Sequence, residues 1–303
     1  MFLRQLEYLD ALDREQHFGR AASACHVSQP GLSSAVRSLE RELGVPLVRR
    51  GRRFQGVTPE GRRVLGWARR VLRDLHGLEQ EASRLRGGLE GTLRLGAIPT
   101  ALPASTLITT RFLELHPRMR IELRSMTSRE ISRSLATGQL DAALTYIDRE
   151  PLSDVRTSPL WREHYLLLTP AGGPLSGAPT ATWAAAAELP LCLLTPDMQH
   201  RRIVNDAFAA AGATPNPVVE TNSVSTLIAH ARSGLSGITA HTWLVTHRLP
   251  AGLRAMPLVE PIVEQKIGLV TPSSAQPTPV VTELLSLAAP LDLDADVLGE
   301  PDH

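Results

Sequence analysis

Four polar side chains spaced four residues apart, Gln29, Ser33, Arg37 and Arg41, share one face of the stretch HVSQPGLSSAVRSLERELG, residues 26–44. At that spacing they line up along a helix. A guanidinium carries a planar fork of donors that matches a guanine edge or a phosphate, and short polar groups at a helix N-terminus reach base edges in a groove. Ser28, Pro30 and Ser34 stand at the same end. A second basic group follows in VRRGRRFQGVT, where Arg49, Arg50, Arg52 and Arg53 lie close to Gly51 and Gly56, the pattern of a short charged hairpin or wing. Such arginines neutralise phosphates and make binding steeply salt-dependent without reading sequence. A solvated amphipathic helix and a solvated charge run have the same spacing, so neighbouring elements must decide.

Other chemistries leave no comparable mark. The chain has ten histidines and 31 acidic residues, yet contains no GxSxG, HExxH, Walker loop or CxxC spacing, so no enzyme activity, cofactor or metal is expected. Cys25 and Cys192 fall in different predicted domains and read as small buried hydrophobes rather than a redox pair.

The basic line needs a scaffold. Ser28 can cap a helix and Pro30 is tolerated in its first turn, which starts the helix near Gln29. Leu32, Val36, Leu39 and Leu43 then form one apolar stripe at the helical period. Leu3, Leu6, Leu9 and Leu12 mark a first helix, and Phe18, Ala21 and Ala22 a short second one, which together predict a three-helix bundle carrying a helix-turn-helix. Thr58, Pro59 and Glu60 start another helix, along which Val64, Ala68, Val71, Leu75, Leu78, Ala82 and Leu85 recur in alternating steps of four and three. A helix over 59–86 would run roughly 40 Å, too exposed to stand alone, so self-association through it is expected, with burial against the chain's own body as the alternative. Two copies imply a two-fold DNA site.

Composition supports the division. The 303 residues are enough for two or three domains, and 43% are hydrophobic. Residues 1–91 hold 16 Arg and no Lys against 11 acidic residues, a charge of +5, whereas 92–303 carry −4. The front is the nucleic-acid candidate. With no run of ~18 apolar residues and no secretory leader pattern, a cytoplasmic protein without a membrane partner is expected. After Gly87, Gly88 and Gly91 the pattern changes to strands alternating with helices: TLRLGAI, a helix over 101–116, RIELRS, a helix over 128–137 and AALTY. A second set follows, from HYLLLT through helices over 183–188, 200–211 and 224–233, before KIGLVT and a last helix over 278–288. This predicts an α/β body of two lobes with a cleft, and a frayed tail from Pro290.

The order of these parts resembles the LysR-type transcriptional regulators. The resemblance rests on AASACHVSQPGLSSAVRSLERELGVPLVRR, on RRFQGVTPEGRRVL, on the body opening LRLGAIPT and on the downstream GQLDAAL, and it covers essentially the whole chain. It implies an N-terminal all-α winged helix-turn-helix, a long linker helix that dimerises, tetramers in many members, and a C-terminal α/β two-lobed domain like the periplasmic binding proteins. Expected boundaries are 1–58 for DNA binding, 59–88 for the linker, 92–162 with 265–303 for one subdomain and 163–264 for the other, with crossings near 161–163 and 264–266. The family binds a small effector between the lobes and recruits or blocks RNA polymerase at a double-stranded operator.

Carried over by position, Ser28, Gln29, Pro30, Ser33 and Arg37 match the recognition helix and Arg53 the wing. Thr100, Ser128, Tyr146, Asn222 and Ser223 match positions lining the effector cleft. Gln199 and His200, at another predicted helix start, add donors. Several helix N-termini would converge there, which favours an anion, although each residue alone is also an ordinary helix cap. Val48 departs from the family, which usually has Phe after Leu47. Gly31 inside the recognition helix should weaken it by roughly 0.5–1 kcal/mol relative to Ala. A transport-type solute-binding protein would share the bilobal body but not the basic N-terminal domain.

Overall fold

Successive leucines three residues apart drift about 60° around a helix at each step, so they cannot all face one core. In the computed structural model, which describes residues 1–51, 54–149, 152, 154–273 and 276–288, α1 (Leu3–Glu15) accordingly buries Leu6, Leu9 and Leu12 and leaves Leu3 exposed. α2 (Phe18–Ala24) is capped by His17, whose Nδ1 accepts from the Gly19 and Arg20 amides. Its buried Ala21 and Ala22 let α1 and α3 (Gln29–Leu43) approach closely. Leu32, Val36 and Leu39 of α3 are fully buried, each worth ~1.5–3 kcal/mol, while Leu43 in the last turn is exposed. β1 (Val48–Arg50) and β2 (Phe54–Val57) form the expected antiparallel wing.

α4 (Pro59–Leu85) is held to this bundle by several contacts. Thr58 caps it by accepting from the Gly61 amide at 2.8 Å and donates to the Pro46 carbonyl at 2.7 Å. Arg69 donates to Asp10 and Asp13 of α1, both at 2.7 Å. Gly61 allows this closeness: a Cβ there would stand 2.1 Å from the Leu47 carbonyl oxygen. The chain divides into two units, Met1–Gly87 and Gly88–His303.

The second unit opens with β3 (Gly91–Ala97), α5 (Ser105–Leu115), β4 (Met119–Ser125), α6 (Ser128–Ala136) and β5 (Ala142–Tyr146). These strands pair in parallel, β4-β3-β5. β6 (Val155–Pro170) is long enough to serve two half-sheets: it pairs with β12 (Glu264–Pro272) through His164 and with β10 (Ser236–Ala240) from Tyr165 onward. Between them lie β7 (Ala181–Thr182), α7 (Trp183–Ala187), β8 (Leu191–Leu194), α8 (Gln199–Ala210), β9 (Pro217–Thr221) and α9 (Val224–Arg232). α10 (Thr242–Thr246) and β11 (Leu253–Val259) precede β12, and α11 (Pro279–Ala288) ends the described chain; the tail predicted to fray lies outside it. The strand order β4-β3-β5-β12-β6-β10-β8-β9 therefore joins two α/β lobes through β6 and β12. A core of Leu93, Leu95, Phe112, Ile131 and Leu144 fills one side, and Trp183 packs edge-on against Phe208 at 5.2 Å in the other.

Candidate nucleic-acid interface and effector pocket

Ser28 sits in extended backbone and its hydroxyl accepts from the Gly31 amide at 3.2 Å, which starts α3 with its first turn open to solvent. Gln29, Pro30, Ser34, Arg37 and Arg41 are exposed, and Ser33 is half-buried on the same helix. The helix is fixed from behind by its leucines and from its C-terminal half by Glu40, whose carboxylate accepts from the Leu47 and Val48 amides at 2.9 and 3.1 Å. Glu40 thus ties the recognition helix to the wing. Val48 is buried, and the aromatic packing in this region is an edge-on contact of Phe54 with Phe18 at 5.7 Å. Arg49 is exposed on β1. The Arg50 side chain, Arg52 and Arg53 lie outside the described residues. The arrangement presents a polar helix end and guanidinium groups in open water, suited to a groove and its phosphates.

The heptad pattern on α4 splits between two faces. Ala68 is buried and Val64 half-buried in the core of the helix-turn-helix bundle, so these two serve that core rather than a partner helix. Val71, Leu78 and Leu85 are exposed at 40%, 66% and 75%, with Leu75 and Ala82 intermediate. Trp67, 67% exposed and covered on one face by the Arg70 guanidinium at 4.9 Å, continues that exposed stripe and was not anticipated. Steps of four and seven from Trp67 to Val71, Leu78 and Leu85 put all four on one side.

In the second unit Thr100, Ser128, Tyr146, Gln199 and His200 line one pocket, together with Ile98, Pro99, Thr127 and Met198. As closed here it admits about one water-sized group. Asn222 and Ser223 are not part of it: Asn222 is exposed, and the Ser223 hydroxyl caps α9 by accepting from the Thr226 amide. The helix starts also differ from one another. α6 is closed by a capping box in which Thr127 and Glu130 satisfy each other's backbone, so its N-terminus already faces a carboxylate. α8 follows Met198, which supplies no side-chain cap, and its first residues Gln199 and His200 are 5% and 4% exposed. Gln199 Oε1 and both His200 ring nitrogens lack a hydrogen-bond partner. Burial, reinforced by the Arg201 charge, lowers the His200 pKa to about 3, so its ring is neutral.

The polar floor of the pocket leads inward. The Tyr146 hydroxyl donates to Glu163 Oε1 at 2.7 Å and lies 3.5 Å from the Thr100 hydroxyl, while Thr145 donates to Ser128 at 3.4 Å. Glu163 is completely buried on β6 and its Oε2 has no hydrogen-bond partner. Burial raises its carboxyl to about 7, against the opposing influence of the Tyr146 hydrogen bond and of the nearby Thr100 and Tyr165 hydroxyls. No Lys or Arg lines the pocket among the described residues. Sequence reasoning missed Glu163, although Trp161, Glu163 and Tyr165 alternate along β6 and all turn inward.

A DNA-facing helix-turn-helix with a charged wing, followed by a two-lobed α/β body that encloses a polar pocket, defines a ligand-controlled transcriptional regulator. Residues 3–62 match the family model of bacterial regulatory helix-turn-helix proteins of the lysR family, and residues 86–290 match the LysR substrate binding domain. The chain belongs to the LysR family. It is 32% identical over 273 residues, 89% of each chain, to the DNA-binding transcriptional dual regulator OxyR of Escherichia coli (strain K12). It is 31% identical over 283 residues to a hydrogen peroxide-inducible genes activator of Haemophilus influenzae, covering 89% of this chain and 90% of the other. A full-length OxyR variant from Pseudomonas aeruginosa matches with a TM-score of 0.77 at 27% identity, over 97% of this chain and 99% of that one. Among the described residues no helix is long and apolar enough to cross a membrane.

Proposed function

We propose that α3 and the wing of each of two protomers read a two-fold double-stranded operator in the cytoplasm, that Trp67, Val71, Leu78 and Leu85 hold the dimer, and that the dimer further pairs to a tetramer. The chain has no catalytic role in this reading; its output is recruitment or exclusion of RNA polymerase. The switch is a small anionic effector seated at the uncapped start of α8 and facing Thr100, Ser128 and Tyr146 across the lobes. One observation carries this: five predicted effector residues from four segments surround a pocket in which the neutral His200 ring lacks a hydrogen-bond partner, leaving a buried N–H, a deficit of roughly 1–3 kcal/mol, that an anion can relieve.

The peroxide named for several relatives is not the effector in this reading, because the thiols are placed for packing. Cys192 is fully buried on β8, Cys25 lies in the other unit, and burial pushes both thiols up, away from the reactive thiolate. The effector is therefore held without a covalent bond. Footprinting the purified protein across genomic DNA at two salt concentrations tests the DNA reading. Discrete two-fold protected sites that persist at the higher salt are expected; diffuse protection that disappears with salt would reduce the arginines to a general polyanion surface.

A further inference from the structure

A phenol has one proton to give. Tyr146 gives its proton to Glu163 Oε1 at 2.7 Å, so only its lone pairs are left for the pocket, where Thr100 lies 3.5 Å away. Behind it stands a carboxylate that, among the described residues, forms no ion pair and has one oxygen without a hydrogen-bond partner, which repels an incoming anion through a medium of low dielectric. A neutral Glu163 reverses both effects. Its own hydroxyl then donates to the phenol oxygen, and the Tyr146 proton turns toward the pocket as a donor. We propose that Glu163, acting through Tyr146, sets the hydrogen-bond polarity of this pocket, so that a small anion enters together with one proton taken from solvent onto the Glu163 carboxylate. This rests on the pocket being the effector site.

The surroundings suit Glu163 as the group that takes up the proton. β5 contributes Tyr146 and, just beyond its end, Asp148, whose negative charge favours the neutral acid. β6 contributes Tyr165, and the turn after β3 contributes Thr100; both hydroxyls favour the carboxylate. On β12, Gln265 is the register partner of Glu163, but its amide is already engaged, accepting from Arg149 and donating to the Glu264 carbonyl. His200, its ring tilted against Tyr165 at 5.3 Å, stays neutral until about pH 3 and competes for no proton near neutrality. These opposing influences leave Glu163 titrating near 7, at the point where β6 passes from one half-sheet to the other. Glu163 thus stands where the two half-sheets meet.

Azide is a suitable probe because it is a compact anion whose infrared stretch reports the hydrogen bonds it accepts. Titrating the full-length chain with azide in two buffers of different ionisation heat counts the protons taken up. About one proton per azide near pH 7.5 and affinity about tenfold weaker at pH 8 than at pH 6 are expected. Glu163→Gln, whose amide donates to Tyr146 as the neutral acid does, should bind azide equally at both pH values with no proton uptake. Thr100→Val should weaken binding and so place azide in this pocket. Wild-type binding that ignores pH and takes up no proton overturns the coupling and leaves the effector site standing. Proton uptake that persists in Glu163→Gln assigns the proton to another group and overturns the role of Glu163. No azide binding at pH 6, where the pocket is least negative, overturns the anion site itself and the coupling with it.

Discussion

The exposed face of α3 and the candidate effector pocket are both polar, but they hold their polar groups on opposite terms. Gln29, Ser34 and Arg37 stand in water on a helix whose reverse face is locked by Leu32, Val36 and Leu39. Their hydration satisfies them, and binding exchanges it for base edges and phosphates. The pocket keeps Gln199 and His200, and Glu163 behind Tyr146, at 5% exposure or less, with polar atoms of each unmatched. There the free protein is left in deficit, which an occupant able to pair those atoms would relieve. A rigid, solvated surface suits recognition of a fixed shape, whereas a buried, under-bonded one suits control by a ligand.

The comparison breaks most severely where the scaffold behind the recognition helix is disturbed. Gly61→Ala would place a methyl group 2.1 Å from the Leu47 carbonyl oxygen and 2.7 Å from Val57, at the junction of α4 and the wing. A loss of about 3 kcal/mol is expected in the first unit alone. Melting followed by calorimetry should show one lowered transition and one unchanged; a wild-type profile would mean that this close approach does not exist in solution.

Next in size is the charge state of the second unit. Glu163 titrates near 7, above its ordinary 4.5, so the folded unit holds a proton that the unfolded chain releases, and stability falls as pH rises through that window. His200 acts in the opposite sense. Its pKa of about 3 lies below the ordinary 6.5, so stability falls as pH is lowered from 6.5 toward 3. Glu163→Gln should stabilise this unit at pH 8 by up to about 3 kcal/mol and change it little at pH 5. Denaturant titration of the full chain at both pH values checks this; equal shifts would show that Glu163 does not titrate in that range.

These two sites also differ in how far the sequence announces them. α3 was legible because Leu32, Val36 and Leu39 recur at the helical period within a dozen residues, and its capping residue, Ser28, directly precedes it. Periodicity was less reliable where it had to choose a face. Leu3 and Leu43 belonged to plausible stripes yet are exposed, and the α4 seam merged Ala68, which packs at home, with Leu78 and Leu85, which do not. Spacing says which residues share a face, not what covers it. The pocket was partly legible through helix starts such as Ser128 and Gln199, because caps are local. Which starts meet depends on strand order, and so Asn222 and Ser223 were drawn in while Thr127 and Met198 of the lining, and Glu163 behind Tyr146, were passed over.

Two smaller effects sharpen the contrast between solvated and buried polarity. Arg37→Ala removes an exposed guanidinium from a helix that needs nothing from it, so folding should be unchanged. If Arg37 reads a base, discrimination between operator and random DNA falls by ~1–3 kcal/mol, measured by competition binding at fixed salt. Equal losses on both DNAs would make it a phosphate contact. Thr100→Val is the converse. It deletes a buried hydroxyl 3.5 Å from the Tyr146 hydroxyl and keeps the shape of the side chain. One neutral hydrogen bond is worth ~0.5–1.5 kcal/mol, so the effector is expected to bind several-fold more weakly while operator affinity without effector stays at the wild-type value. Operator affinity that falls in the absence of any ligand would show that the pocket's hydroxyls stabilise the DNA-binding state directly, rather than waiting for an occupant.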